Sequence, residues 1–253
     1  MSLIRSKDTV PAPRVQSVDR AMRILFCIAQ SSDGLKAAEV VAATGLPRQA
    51  CYHLLHTLVA TRILTRSGPG KYVLGLRVGT LIEGFKRQLA PPEYLAPVVR
   101  RIAEQTGETA YASGWWDGEI VTLVTAPGTN SVQAIEITHG TYFDAHARAS
   151  GKLLLAYSSE QLRTDFLSGH RLNPRTKNTI TTLPRLYEEF EKIKAVGYAT
   201  DLEEFSQGLC CLAVGIGGGT QPFALTMSAP SDRFEQMFQT YLRVMKTIAN
   251  EFS

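Results

Sequence analysis

Five side chains able to hydrogen-bond or stack recur at helical spacing in the stretch 48–56: Arg48, Gln49, Tyr52, His53 and His56. Guanidinium, amide, phenol and imidazole groups presented together are those that reach base edges and phosphates. The Gln49 amide in particular can pair with an adenine edge. The interleaved residues Cys51, Leu54, Leu55 and Leu58 are apolar and claim the opposite side of the same helix. A second candidate lies at Ala147-Arg148-Ala149-Ser150-Gly151-Lys152, a small-residue turn running into the apolar run Leu153–Leu155. A helix opening near Ser150 and Gly151 leaves backbone N–H groups without partners and carries partial positive charge, so it can seat a carboxylate. The plainer alternative is an ordinary N-cap at Ser150.

The elements that must position the first group are also legible. Ala37, Val40, Val41 and Thr44 form a short helix, and Gly45 stands where a helix stops in a left-handed conformation. Leu46 can plug the space between two helices, and Pro47 stands at the first position of the next. A short helix, a Gly-containing turn and a second helix with a polar face make a helix-turn-helix, which places its second helix in a DNA major groove. A helical packing unit with a solvated face, or a winged helix used for protein contact, has the same local pattern. The residues beyond this second helix favour DNA. Ile63–Arg66 and Lys71–Leu74 read as strands around the turn Ser67-Gly68-Pro69-Gly70. That hairpin is a wing, with Arg66 and Lys71 near its tip as phosphate contacts.

Charge agrees. Of the 253 residues, those through Ala90 include 13 Lys and Arg against 5 Asp and Glu, and the remainder 14 against 18. The positive excess coincides with the helix-turn-helix, as in a polyanion-binding segment. No apolar run approaches the roughly 18 residues of a membrane span, and Met1–Asp8 lacks the apolar core of a signal peptide. The four cysteines, Cys27, Cys51, Cys210 and Cys211, have neither metal-ligand nor disulfide-framework spacing, which suits a reducing cytoplasm.

The expected organisation is an arm over 1–16, a winged helix-turn-helix over 17–75, a linker helix over 76–90 and a second domain over 91–253. Ser17 is the predicted N-cap of a first helix carrying Val18, Ala21, Met22, Leu25, Ile28 and Ala29. The linker carries Leu76, Leu81 and Phe85 on one stripe, suited to pairing with a copy of itself, and Pro91-Pro92 ends it. Beyond it, helices are predicted at Leu95–Ala103, from Ser150, at Leu183–Ala195 and from Phe234 to Ile248. Strands are predicted at Thr109–Trp116, Ile120–Thr125, Val132–Ile137, Tyr198–Leu202, Leu209–Ile216 and Phe223–Ser228. Hairpins interrupted by helices indicate an antiparallel α+β domain. Trp115 and Trp116 are adjacent, so one faces inward; Asp201 can cap the turn after it.

Enzymatic readings lack support. There is no G-x-S-x-G elbow. His146 stands where a phosphate loop preceding Gly151-Lys152 needs Gly. Gly215–Gly219 leads to Pro222 and a strand rather than to a dinucleotide-binding helix. His139, His146, His170 and Cys211 show no metal-ligand spacing. Neither catalytic residues nor cofactors are expected; a small-molecule enzyme or metal-binding sensor is the competing reading.

An ordered set of motifs then carries a resemblance: Val15-Gln16-Ser17-Val18-Asp19-Arg20-Ala21, Gly45-Leu46-Pro47, Leu54-Leu55-x-Thr57-Leu58 and Tyr72-x-Leu74-Gly75. His146-Ala147-x-Ala149-Ser150-Gly151-Lys152 and Gly197-Tyr198-x-x-Asp201-x-Glu203-Glu204 come next in the chain. Gly208-Leu209-x-Cys211-x-Ala213 and Ser228-Ala229-Pro230-Ser231 complete the set. Over nearly its whole length the chain resembles the IclR family of bacterial transcriptional regulators. The resemblance implies a winged helix, a linker helix and a GAF-like effector domain with an antiparallel sheet. It further implies dimers or dimers of dimers on double-stranded operator DNA, with a small organic acid or aromatic catabolite altering DNA affinity. Carried over position by position, the effector residues are Ala149, Ser150, Asp201, Leu209, Cys211, Thr226 and Ser228, with Gly151 beside them. Two departures stand out. His53 replaces a usual Arg and is shorter and mostly neutral near pH 7, and Thr226 replaces a frequent Ser, its methyl trimming the pocket.

Overall fold

The computed structural model describes residues 13–89, 91–130, 140–141, 144–217 and 223–252. The chain divides into two compact units, one ending at Ala90 and the other beginning at Pro91.

In the first unit, α1 (Gln16–Ala29), α2 (Ala37–Thr44) and α3 (Arg48–Ala60) pack around Ile24, Ile28, Val40, Leu46, Cys51, Leu55 and Leu58. The register of α1 differs from the prediction. Ile24 and Ile28 are the buried residues, whereas Val18, Met22 and Ala29 are exposed. Its N-cap position is Val15 and not Ser17, which lies inside the first turn. Gly45 caps α2 at φ 65°, and Arg23 of α1 donates to the Thr44 carbonyl at 2.6 Å, satisfying an orphan acceptor of the last turn. Pro47 occupies the N-cap position of α3 rather than its first helical position, with an extended ψ of 132°. β2 (Leu64–Ser67) and β3 (Lys71–Leu74) form the hairpin. The unpredicted two-residue β1 (Leu35–Lys36) adds to the far side of β3, giving the order β1-β3-β2. Gly75 closes the hairpin. Its N–H reaches the Ile63 carbonyl at 2.8 Å, and a Cβ there would sit 2.3 Å from the Arg62 carbonyl oxygen. Then α4 (Arg77–Leu89) leaves Leu81, Ile82 and Phe85 exposed on successive turns.

In the second unit, six antiparallel strands run in the order β6-β5-β4-β9-β8-β7. These are β4 (Thr109–Trp116), β5 (Glu119–Ala126), β6 (Gly140–Thr141), β7 (Tyr198–Leu202), β8 (Leu209–Ile216) and β9 (Phe223–Pro230). Helices α5 (Leu95–Thr106) and α9 (Ser231–Asn250) cover one face. Helices α6 (Ala149–Tyr157) and α8 (Leu183–Val196) lie toward the other, whose core holds Tyr111, Trp115, Leu153, Phe190, Ala199, Cys211, Ala213 and Ala224. Helix α7 (Glu160–Gly169) was not predicted; Ser159 caps it by accepting from the Leu162 N–H at 3.3 Å, and Phe166 anchors it. Of the predicted final-helix stripe, Met237 is exposed while Phe234, Tyr241, Met245 and Ile248 are buried. The strand expected at Val132–Ile137 lies outside the described residues.

Candidate functional site

On α3 the chemistry-bearing residues and the core residues separate cleanly. Arg48, Gln49, Tyr52, His53 and His56 are all exposed, while Cys51, Leu55 and Leu58 are buried and Leu54 is half-buried. The Arg48 guanidinium lies 5.7 Å from the centre of the Tyr52 ring, which holds two of these groups together on the surface. On the hairpin, Arg66 is exposed and sits 5.8 Å from the Tyr72 ring, and Lys71 is half-buried opposite Ser67.

In the second unit, cross-strand pairing assembles three of the predicted effector residues. Asp201 on β7, Cys211 on β8 and Ser228 on β9 stand directly opposite one another in a single row, and all are buried. Cys211 Sγ and Ser228 Oγ are 3.0 Å apart. Thr226 lies two residues along β9, flanked by Ala213 and Tyr111. Leu209 is half-buried at the near end of β8. Ala149 and Ser150 are fully buried in the first turn of α6, so Ser150 is inside the helix and Arg148 takes the cap position. The N-terminus of α6 approaches this row: Ala149 shares a core with Cys211, and the Arg148 charge acts on the Cys211 thiol. Gly151 has a packing duty. A Cβ at that position would lie 2.1 Å from the Ala145 carbonyl oxygen of the preceding 3-10 turn.

Asp201 caps its turn: one carboxyl oxygen accepts from the N–H groups of Glu204 at 2.7 Å and Phe205 at 3.2 Å. Its pKa is nevertheless pushed up to about 7, first by burial and then by the nearby Glu204 carboxylate. The two N–H donors and Lys152 oppose the rise. Burial, then the Asp201 charge, likewise drives the Cys211 thiol well above its usual range. Lys152 is fully buried, with its ammonium 2.5 Å from Glu204 and 3.3 Å from Glu189. That pairing accounts for its charge inside the fold.

Several residues were missed by sequence reasoning. The hydroxyls of Ser113 on β4, Thr122 and Thr125 on β5 and Thr226 on β9 are buried with no hydrogen-bond partner among the described residues. Serines and threonines are ordinary strand residues, so nothing in the sequence marked the first three. The histidines considered as metal ligands are engaged separately. His146 Nε2 lies 3.1 Å from the Asn173 carbonyl, with burial lowering its pKa. His170 stacks on Phe166 at 4.0 Å and pairs with Glu119. His139 lies outside the described residues. Among the described residues no helix is long and apolar enough to cross a membrane.

A winged helix with an exposed polar recognition helix, joined to a separate helix-covered antiparallel sheet, is the build of a DNA-binding regulator with a sensing domain. Comparison with known proteins agrees in both parts. Residues 17–68 match the IclR helix-turn-helix domain and residues 92–253 the bacterial transcriptional regulator IclR C-terminal domain. The chain is 30% identical over 222 residues to the HTH-type transcriptional regulator BhcR of Paracoccus denitrificans, spanning 87% of this chain and 79% of that one. It is 27% identical over 237 residues to the transcriptional repressor IclR of Escherichia coli, spanning 89% and 84%. The crystal structure of an IclR homolog complexed with 4-hydroxybenzoate, from Microbacterium hydrocarbonoxydans, superposes with a TM-score of 0.63 at 20% identity, covering 93% of this chain and 99% of that one. The chain belongs to the IclR family and is a DNA-binding transcriptional regulator.

Proposed function

We propose that this regulator reads double-stranded operator DNA as a dimer and that a small acid bound in the second unit alters its affinity for that DNA. Arg48, Gln49, Tyr52, His53 and His56 face the major groove, with Arg66 and Lys71 on flanking phosphates. The observation that carries this reading is the division of α3 into an exposed polar face and a buried Cys51–Leu55–Leu58 face. A helix held by its apolar side against a three-helix core has only its polar side to offer DNA. Self-association is supported by the exposed Leu81, Ile82 and Phe85 of α4, since an unburied apolar stripe at helical spacing suits a symmetric partner. The effector sits against Ala149, Ser150, Gly151, Asp201, Leu209, Cys211, Thr226 and Ser228, which combine a helix N-terminus with buried hydrogen-bonding groups and small apolar walls. A related protein captured with 4-hydroxybenzoate supports a small carboxylate as the occupant.

The test is Gln49→Ala in gel-shift titrations on operator and random DNA. Loss of a base contact weakens operator binding by about 1–3 kcal/mol and leaves random-sequence binding nearly unchanged. Equal loss on both DNAs assigns Gln49 to the backbone or to folding.

A further inference from the structure

The connection from α7 to α8, residues 170–182, carries no helix or strand, yet it is tied down at both ends. A stretch of this length without secondary structure is uncommon in a compact domain unless it has a task. One end is fixed to the turn after β7. Thr176 Oγ1 donates to the Glu203 carbonyl at 2.6 Å, the buried Thr179 Oγ1 to the Glu204 carbonyl at 2.6 Å, and Asn178 Nδ2 to the Leu202 carbonyl at 3.1 Å. Thr179 Oγ1 also accepts from the N–H groups of Arg175 and Thr176 at 3.0 and 2.9 Å, which marks where the fixed part begins. The other end reaches the turn before α6 through longer contacts. Asn173 Nδ2 donates to Asp144 at 3.4 Å, the Arg175 guanidinium pairs with Asp144 at 3.7 Å, and His146 Nε2 lies 3.1 Å from the Asn173 carbonyl. Asn173, Pro174 and Arg175 are all exposed.

Phe205 links the two turns that this strap joins. Its N–H donates to Asp201. Its half-buried ring receives the Arg148 guanidinium at 3.4 Å from the start of α6 and the Arg175 guanidinium at 4.6 Å from the strap. Two like charges brought to one ring repel each other, and Asp144 beside Arg175 offsets that repulsion. An ion pair with an exposed partner holds weakly and exchanges readily with solvent, whereas a buried threonine hydrogen bond is costly to leave unmade. The strap therefore has a firm end at Thr176 and Thr179 and a releasable end at Asp144. Phe205, whose turn holds the Asp201 carboxyl, is what the releasable end retains.

We infer that Asp144, Arg175 and Phe205 form a latch whose opening admits small molecules to the buried Asp201–Cys211–Ser228 row. Only the naming of that row as the effector face rests on the reading above. The test uses the chain's own thiols and no ligand. Cys211 lies in the row. Cys210, next along β8, faces the other side of the sheet, and Cys51 lies in the first unit; all three are buried. The full chain and its Asp144→Asn, Arg175→Gln and Phe205→Ala variants are labelled with methyl methanethiosulfonate, and the rate at each cysteine is read by peptide mass spectrometry. Asparagine tolerates the left-handed backbone of Asp144 at φ 58°, and Arg175 is exposed, so these two variants keep the fold. Each variant labels Cys211 at least ten-fold faster than the unaltered protein, with the rates at Cys210 and Cys51 unchanged. A Cys211 rate that stays the same in Asp144→Asn and Arg175→Gln overturns the latch. An equal rise at Cys210 also overturns it, because the whole unit would then have loosened. Acid binding that survives Ser150→Leu is a separate result, which overturns the effector-site reading and leaves the latch standing.

Discussion

Replacing Thr226 with Val tests whether the second unit carries an unmet polar group built in for a ligand. Thr226 is fully buried on β9, and its hydroxyl has no hydrogen-bond partner among the described residues. Valine keeps the β-branched shape, so strand propensity and packing volume barely change. The quantity that changes is the desolvation penalty of an unpaired hydroxyl, about 1–3 kcal/mol. The ligand-free protein should therefore become more stable by about that amount. For a unit of this size each kcal/mol moves the melting temperature by about 2–4 °C, so the shift lies between about 2 and about 12 °C upward. Scanning calorimetry of the full chain, tracking the transition of the sheet unit, reads it directly. The same substitution should reduce the stabilisation that an effector confers, because one of its partners is gone. A fall in melting temperature would refute the reasoning, since it would mean that the Thr226 hydroxyl is already satisfied in the folded protein.

Three further outcomes are expected from the same geometry. Gly151→Ala places a Cβ 2.1 Å from the Ala145 carbonyl oxygen, so it should destabilise the second unit by about 1–3 kcal/mol, checked by chemical denaturation. Exchange of Leu81 and Phe85 for Glu on α4 should shift the proposed dimer toward monomer in light scattering without unfolding it; an unchanged mass would remove α4 from the proposed interface. Asp201 has a folded pKa of about 7 against 3.8 unfolded. The folded state thus holds a proton that the unfolded state has lost, and stability falls as pH rises from about 4 to about 7. Asp201→Asn, which keeps the acceptor for Glu204 and Phe205, should flatten that decline and should stop affinity for an acid effector from dropping above pH 7. An unaltered pH profile in the Asn variant would show that other groups set it.

The sequence exposed those parts of the fold that local chemistry dictates. Gly45 and Leu46 marked the α2–α3 turn, and the strands predicted at Tyr198–Leu202 and Leu209–Ile216 coincide with β7 and β8. The features that stayed hidden depend on pairing at a distance. β1 is two residues long and exists only because β3 offers an edge. The buried face of α1 was misjudged because Val18, Met22 and Phe26 form a second apolar stripe that competes with Ile24 and Ile28. The Asp201–Cys211–Ser228 row was carried by family resemblance, and its alignment comes from β7-β8-β9 register. Ser113 and Thr122 had no signal at all. Their meaning depends on a bulge, a cross-strand partner and the absence of hydrogen bonds among the described residues, none of which a linear pattern records.

The proposed acid site contains a buried aspartate, which looks contradictory, and the surrounding charges resolve it. Lys152 does not serve as the counter-ion for a ligand, because Glu204 and Glu189 already pair with it. Asp201 in turn is inclined to hold its proton near neutral pH, since burial and Glu204 outweigh Lys152 and the two N–H donors. Cys211 stays a thiol for the same reason of burial. Facing the row from α6 and the turn before it are the helix N-terminus and the half-buried Arg148, whose guanidinium lies 3.4 Å from the Phe205 ring centre. The proposed site thus offers an anion a helix dipole, the Arg148 charge and hydrogen-bond groups in place of a dedicated lysine. Such a site discriminates by the pattern of donors and acceptors more than by charge. A ligand that completes that pattern also contacts the Asp201 turn and the start of α6 together. It can change DNA affinity only by preferring one arrangement of these elements over another, and DNA must then change ligand affinity by the same factor by which the ligand changes DNA affinity.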